Sequence, residues 1–554
     1  MSLHHELAGP VPEETARVAR AAFPKGNPYL RLRDELGTLY EDRTFAPLFA
    51  VRGQHAETPW RLAVVLVLQF AEHLSDRAAA DAVRSRIDWK YLLGLELTDP
   101  GFDASVLSEF RTRLIAGNLT LHLLDALLTR CQAVGLLKAR GRQRTDSTHV
   151  LAAIRALNRL ECVGETVRHA LNALATAAPD WLRPHLTPVW SEWAERYGAR
   201  FDEFRLPKGK AERETLAETI GADGYRLLEA IYAPDAPSWL RTVPAVETLR
   251  QVWVQEYYAS AADGRVRWRA VEDLPPAAQM VNSPHDPDAR FSIKRDTKWT
   301  GYKAHFTETC DPDAPHLITH VETTPATTPD WHLLPPIHTA LATKGLLPGE
   351  HLVDAGYVDS DVVVQSQTDH EVAVVGPVSP DLSWQARAGA GFDVACFTLD
   401  WEQRRATCPQ GKPSVKWSAT HDTTGNDIIN IRFARADCLA CAHRAACTKS
   451  THGPRELTVR PRPQHEALQA ARQYQTTAAF KAKYDARAGV EGTLSEGLRV
   501  CDLRRARYIG LAKTRLQHVL SAAGLNVRRL GAWWDERPFA PTRTAAFLAL
   551  APAA

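Results

Sequence analysis

Residues 483–500 read KYDARAGVEGTLSEGLRV, and the spacing of three side chains within them organises the rest of the chain. Tyr484, Arg487 and Glu491 stand at i, i+3 and i+7, which on an α-helix places them on one face. A carboxylate held beside an arginine and a tyrosine suits metal and phosphate chemistry better than core packing. Far upstream, RTDSTHV (144–150) and EHLVDAGY (350–357) each read as a strand carrying an aspartate at its edge, Asp146 and Asp354.

Asp146 and Asp354 are 208 positions apart, yet neighbouring strands of one sheet bring such residues side by side, and a helix packed on that sheet delivers Glu491 to the same point. Three carboxylates in one cleft repel each other unless a cation neutralises them. Oxygen-only ligands suit Mg2+ or Mn2+, not Zn2+. Two such ions, about 3.5–4 Å apart, activate a water or a 3′-hydroxyl and steady the leaving oxygen in an in-line attack on a phosphodiester. Each acid has a plainer reading. Asp146 is a turn residue beside Ser147 and Thr148, Asp354 caps the turn to Gly356, and Glu491 pairs with Arg487 at i, i+4. Glu496 competes for the third place, but five positions turn a helix by about 500°, away from Tyr484 and Arg487.

The chain has 554 residues, too many for a single core, and its 45% hydrophobic and 24% charged content is that of a globular protein. The net charge of +2 announces no nucleic-acid partner, but Arg499 to Arg529 holds eight Lys/Arg against one acid, Asp502. Such a block is either a phosphate-facing surface or a solvated helix face. The first residues, MSLHHELAGPVPEE, lack the apolar core of a signal peptide, and the run Leu62 to Ala71 (LAVVLVLQFA) is too short to span a bilayer. A cytoplasmic location is expected, with no membrane contact. Nine cysteines without a leader argue for a reducing compartment and a metal site over a disulfide framework.

The pattern divides the chain into an N-terminal segment (1–57), a helical segment suited to DNA contact or to dimerisation (58–140), an α/β core in three pieces (141–155, 281–378 and 461–535), a helical insertion (156–280), a cysteine-bearing insertion (379–460) and a flexible tail (536–554). Thr58 and Pro59 open one helix and Ser75 caps the next, with a third at SVLSEFRTRLI. Strands are predicted over 144–152, 298–308, 316–323, 351–353 and within EVAVVGPV (371–378), with helices over 331–344 and 360–367.

These motifs together resemble the DDE transposases of bacterial insertion sequences, whose third acid lies in a Tyr-x2-Arg-x3-Glu-x6-Lys motif. Tyr484, Arg487 and Glu491 match it; TDSTHV resembles the first-Asp strand, VDAGY the second, and KWTGYKAH the segment between them. EGTLSEGLRVCDLRRARYIGLAKTRLQHVLSAAGLNVRRL resembles the C-terminal stretch, and SDRAAADAVRSRIDWKYLLGLEL with SVLSEFRTRL the N-terminal helical domain. The likeness covers roughly residues 58–155 and 290–530. One departure is that the motif's lysine position holds Leu498, with Arg499 adjacent but about 100° round the helix. The resemblance implies a ribonuclease H-like mixed sheet flanked by helices. It implies two Mg2+ (or Mn2+) ions on Asp146, Asp354 and Glu491. The implied activity binds terminal inverted repeats, cleaves at them and joins 3′-hydroxyls to target DNA, in a homodimer or larger synaptic assembly. The alternatives are a nuclease of the same fold that cuts without joining and a non-catalytic DNA-binding protein.

Cys408, Cys438, Cys441 and Cys447 form the pattern C-x29-C-x2-C-x5-C, suited to a structural zinc with zinc–sulfur distances near ~2.3 Å, with His443 as another ligand and reduced thiols as the plain alternative. Related transposases often carry such a group here. An all-thiolate site leaves no open position, which excludes a zinc hydrolase. Lys294, Lys298 and Lys303 interleave with Trp299, a pattern that suits phosphate contact and stacking on DNA, or a solvated hairpin. Tyr484 and Arg487 are expected nearest the scissile phosphate. Arg499 stands in for the missing lysine, and Arg504, Arg507 and Lys513 hold flanking duplex.

Overall fold

The computed structural model describes residues 2–3, 9–260, 263–389 and 391–537, so the tail expected beyond 537 lies outside the described residues. The molecule is a mixed α/β structure built on one six-stranded sheet. Its strands are β1 (Arg142–Leu151), β2 (Arg290–Lys294), β3 (Thr297–Thr309), β4 (Ile318–Pro325), β5 (Glu350–Val353) and β6 (Ala373–Val375). β4, β3, β1, β5 and β6 lie side by side in that order, and β2 extends the β3 edge as a hairpin. β3 runs antiparallel to β1 and to β4, whereas β5 and β6 run parallel to β1 and to each other. This order and these directions are compatible with the ribonuclease H-like fold.

Buried polar side chains mark the register. Thr145 Oγ1 bonds both Thr307 Oγ1 and His351 Nε2, each at 2.7 Å, across three neighbouring strands. Thr145 therefore lies level with Val353, and Asp354 emerges beside Asp146 at the end of the parallel pair. Strand side chains alternate. Arg144, Asp146 and Thr148 meet residues 486–504, and Thr145, Ser147 and His149 turn to the opposite face.

Six helices matter below: α1 (Pro59–Ala71), α2 (Leu334–Thr343), α3 (Ser360–His370), α4 (Ala478–Tyr484), α5 (Gly489–Cys501) and α6 (Leu511–Trp534). In α1 every residue except Arg61 is buried, as a helix apolar on all sides must be. It packs on α6, where a side chain at Gly524 would stand 2.7 Å from the Ala71 nitrogen. Asn526 of α6 accepts from the Ile318 amide and donates to its carbonyl, both at 2.8 Å, which seats α6 on β4. Residues of segment 58–140 thus share one continuous hydrophobic core with the sheet. Ser75 caps the helix Asp76–Ser85 through the Ala78 amide, as its sequence signal predicts.

The insertion after β1 is helical, as predicted, and has its own core around Val163, Val167, Leu249 and Trp253. Its first helix, Arg159–Ala177, opens with a capping box between Asn158 and Glu161. The second insertion carries a three-stranded sheet (Ser414–His421, Asp427–Phe433, Glu456–Val459) over a small core of Phe397, Ile431, Phe433 and Leu457. No helix among the described residues is long and apolar enough to cross a membrane.

Candidate active site

Asp354 directly follows the end of β5, as its strand reading predicts, whereas Asp146 lies within β1, one residue past its last pair with β5. Asp146 is nearly buried; its Oδ1 accepts the Ser147 amide (2.7 Å) and its Oδ2 accepts Arg487 Nη2 (2.6 Å). Burial pushes its carboxyl above the ordinary range and Asp354 adds to that rise, while the Arg487 guanidinium and the Ser147 amide oppose it. Asp354 is half-buried, and its Oδ1 accepts the Gly356 amide at 2.8 Å. Glu491 is exposed and accepts Arg487 Nη1 at 3.0 Å.

Arg487 is therefore the hub, bridging Asp146 on β1 and Glu491 on α5. The three carboxylates do not meet directly: among the described residues no three Asp, Glu, His or Cys side chains stand close enough to hold one ion. In place of the expected meeting of three acids, the Arg487 guanidinium pairs with two of them, Asp146 and Glu491. The donor set itself, carboxylate oxygens at a sheet edge, fits a hard divalent ion.

The continuous helix predicted over Tyr484 to Glu491 is a correction. α4 ends at Tyr484, residues Asp485–Ala488 form a 3-10 turn, and α5 begins at Gly489. Arg144 packs at this turn. Its Nη1 takes the Ala486 carbonyl at 2.5 Å, and a Cβ on Gly489 would stand 2.1 Å from that same nitrogen. Arg487 and Glu491 keep their i, i+4 contact, but Tyr484 stacks on Phe480 (centroids 5.2 Å apart, 13° between planes) over Leu352 and Val375.

The cations divide. Lys294, Lys298, Arg499, Arg504 and Lys513 are exposed, and Lys294 acts on Asp146, helping to lower its carboxyl. Arg504 Nε also donates to Thr148 Oγ1 (2.9 Å), and Arg507 donates to the Leu74 carbonyl (3.0 Å). Two expected DNA contacts are corrected. Trp299 is buried, its Nε1 bonded to the Tyr302 carbonyl at 3.1 Å and its ring against His149, so no face is open for stacking on a base. Lys303 turns inward, where Asp330 Oδ1 and the Thr328 carbonyl take its ammonium, each at 2.7 Å.

Sequence reasoning missed Asp330. Its Oδ2 is 3.4 Å from Ser147 Oγ, and a Cβ on Gly356 would lie 3.1 Å from Asp354 Oδ1 and 3.5 Å from Asp330 Oδ2, so both acids flank one spot. Nearby, Tyr357 OH bonds His305 Nδ1 (2.6 Å), a ring whose burial lowers its pKa to about 4 and keeps it neutral. Asp330 stands in TTPDWH, with no spacing that ties it to Asp354.

Cys408, Cys438, Cys441 and Cys447 are free thiols lining one cavity with His443 and Phe392. The Lys412 and Arg455 amides donate to the sulfurs of Cys408 and Cys438, each at 3.4 Å. Burial and the neighbouring thiols raise the Cys447 thiol. The thiols share this cavity, but among the described residues no group of three Cys, His, Asp or Glu side chains stands close enough to hold an ion.

Residues 407–531 match the family model of a transposase DDE domain, and residues 17–113 match that of a transposase domain designated DUF772. The first match includes the four cysteines and Glu491; Asp146 and Asp354 lie outside both. No curated protein and no solved structure matches the chain.

Proposed function

We propose that this chain, which belongs to the DDE transposases of insertion sequences, cleaves the ends of its element and joins the 3′-hydroxyls to target DNA. The observation that carries the reading is the Arg487 bridge. It ties Asp146 and Glu491, 345 positions apart, with Asp354 near enough to act on the same guanidinium. Asp146, Asp354 and Glu491 would hold two Mg2+ or Mn2+ ions. When bound, such ions activate the attacking oxygen and stabilise the leaving one.

The chain's own residues bind and orient. Exposed Lys294 and Lys298 on the β2–β3 hairpin, with Arg499, Arg504 and Lys513 after Glu491, hold DNA phosphates on either side of the acids. The four cysteines hold a structural zinc in the second insertion. The four-sulfur donor set around one cavity and the two amide-to-sulfur bonds support this. Two copies bring two element ends together.

The test is strand cleavage and joining on end-containing DNA with Mg2+. Parental protein cuts and joins, and Asp354→Asn does neither; persistence of cleavage at the parental rate in that variant removes the assignment. Purified protein is expected to hold about one zinc per chain, lost in Cys438→Ser. A metal-free preparation with an unchanged fold would exclude the zinc.

A further inference from the structure

Behind these acids lies an ion cluster that touches none of the proposed reacting atoms. Glu308, near the end of β3, is fully buried. Its Oε1 accepts Arg144 Nε at 2.7 Å; its Oε2 accepts Arg529 Nη1 at 2.7 Å and Thr493 Oγ1 at 2.6 Å. Arg529, from α6, also donates to Thr493 Oγ1 (2.7 Å), Glu496 Oε2 (3.1 Å) and the His316 carbonyl (2.7 Å). Arg144 reaches on to the Ala486 carbonyl. One carboxylate thus joins β1, β3, the 3-10 turn, α5 and α6.

Its neighbours in sequence give the cluster its meaning. Arg144 is two residues before Asp146 on the same strand face, Thr493 is two residues after Glu491, and Ala486 immediately precedes Arg487. Each end of the Arg487 bridge is therefore clamped within two residues of the side chain that forms it. Apolar side chains of similar volume commonly replace a buried ion cluster without loss of stability, so stability alone is a weak reason for three charges here. Directed bonds fix position in a way that apolar contact does not.

We infer that Glu308 is a positioning residue: through Arg144, Thr493 and Arg529 it sets the height of the helix bearing Glu491 against the strand bearing Asp146. The inference rests on the proposed metal-dependent reaction. A carboxylate displaced by about an ångström loses its share in a common site, and misplacement of that size costs on the order of 100-fold in rate.

The experiment compares Glu308→Gln with Leu341→Ala in the full chain. Leu341 is fully buried in the shared core on α2, so its truncation lowers stability without touching the cluster. Three quantities are read: Mn2+ affinity by EPR titration, end-DNA affinity by band shift in Ca2+, and kcat and KM of cleavage with Mn2+. Glu308→Gln is expected to weaken Mn2+ binding about 10-fold and lower kcat about 30-fold, with KM and end-DNA affinity within about 2-fold of parental. Leu341→Ala, at an equal or larger loss of Tm, stays within about 2-fold in all of them. Thr493→Val removes the hydroxyl's two bonds, to Glu308 and from Arg529, and gives the same pattern at about 5-fold, which decides the matter if Glu308→Gln fails to fold. Parallel behaviour of the cluster variants and Leu341→Ala overturns the positioning role. A parental protein that neither binds Mn2+ nor cleaves overturns the functional reading instead, and the positioning role with it.

Discussion

The sheet that carries Asp146 and Asp354 and the helical insertion that interrupts it after β1 are held together in different ways. The sheet buries polarity: Thr145, His305, Thr307, Glu308 and His351 are each nearly or fully inaccessible and hydrogen-bonded. The insertion presses Trp253 against Gly224 and gives its Nε1 to the Gly221 carbonyl at 2.9 Å, and it keeps its buried acids nearer its own helices: Glu161 accepts Arg155 at 2.6 Å and Glu256 accepts Arg159 at 2.7 Å. Apolar contact is non-directional and tolerates small shifts; hydrogen-bonded and ionic contact specifies register. In the sheet the directed bonds cross between strands and helices far apart in sequence, and they lie next to residues 146, 487 and 491.

Four measurements would break or sharpen that contrast. The largest effect belongs to the sheet. Asp354→Asn should lower end cleavage about 10,000-fold, equivalent to about 5 kcal/mol in the barrier, while leaving Tm within about 2 °C. Retained cleavage would detach the acids from the chemistry. Next comes the insertion, where Trp253→Ala should cost about 3–5 kcal/mol of stability, as truncation of a buried indole does. Hydrogen exchange should rise in residues 156–281 well before it rises in β1 and β3. Uniform deprotection would make the two cores one cooperative unit.

The third measurement is acid stability. Burial lowers His305 and His338 to about 4 and His518 to about 3, from 6.5. The folded state keeps these rings neutral while the unfolded chain takes up protons. Their contribution is therefore present above pH 6.5 and lost progressively as pH falls toward 4, because the unfolded state binds more protons in that window. At pH 5 the loss should reach about 1–2 kcal/mol per ring, read as a falling Tm, with His338→Gln flattening the slope. A Tm indifferent to pH between 7 and 5 would contradict the buried neutral histidines. The smallest effect is on DNA. Lys294→Ala and Lys298→Ala should each weaken end binding about 2–3-fold and lower the salt slope by about one. Unchanged salt dependence would move the DNA path away from the β2–β3 hairpin.

The contrast also explains which residues the sequence discloses. The strands around Asp146 and Asp354 are visible in alternation and β-branched content, and the predicted 144–152 and 298–308 appear as Arg142–Leu151 and Thr297–Thr309. EVAVVGPV contributes only Ala373–Val375, because Gly376 and Pro377 follow at once. Trp299 and Lys303 look like a DNA-facing stripe in one dimension. Their partners, His149 and Asp330, come from other segments and turn both inward. The helical period of residues 484–491 is real for Arg487 and Glu491, yet residues 485–488 tighten into a 3-10 turn whose Ala486 carbonyl accepts from Arg144, more than 300 positions away.

Sequence alone pointed to most strands and helices of the sheet, to a helical stretch after β1, and to Asp146, Asp354, Glu491 and the four cysteines as candidates, because hydrophobic period, capping residues and motif spacing are local properties. Tertiary structure alone decided that Arg487 bridges Asp146 and Glu491, that Lys303 belongs to Asp330, and that Glu308 joins five segments. Those outcomes depend on which buried charges find partners across hundreds of residues, and a buried charge is stable only where folding has brought its counter-charge.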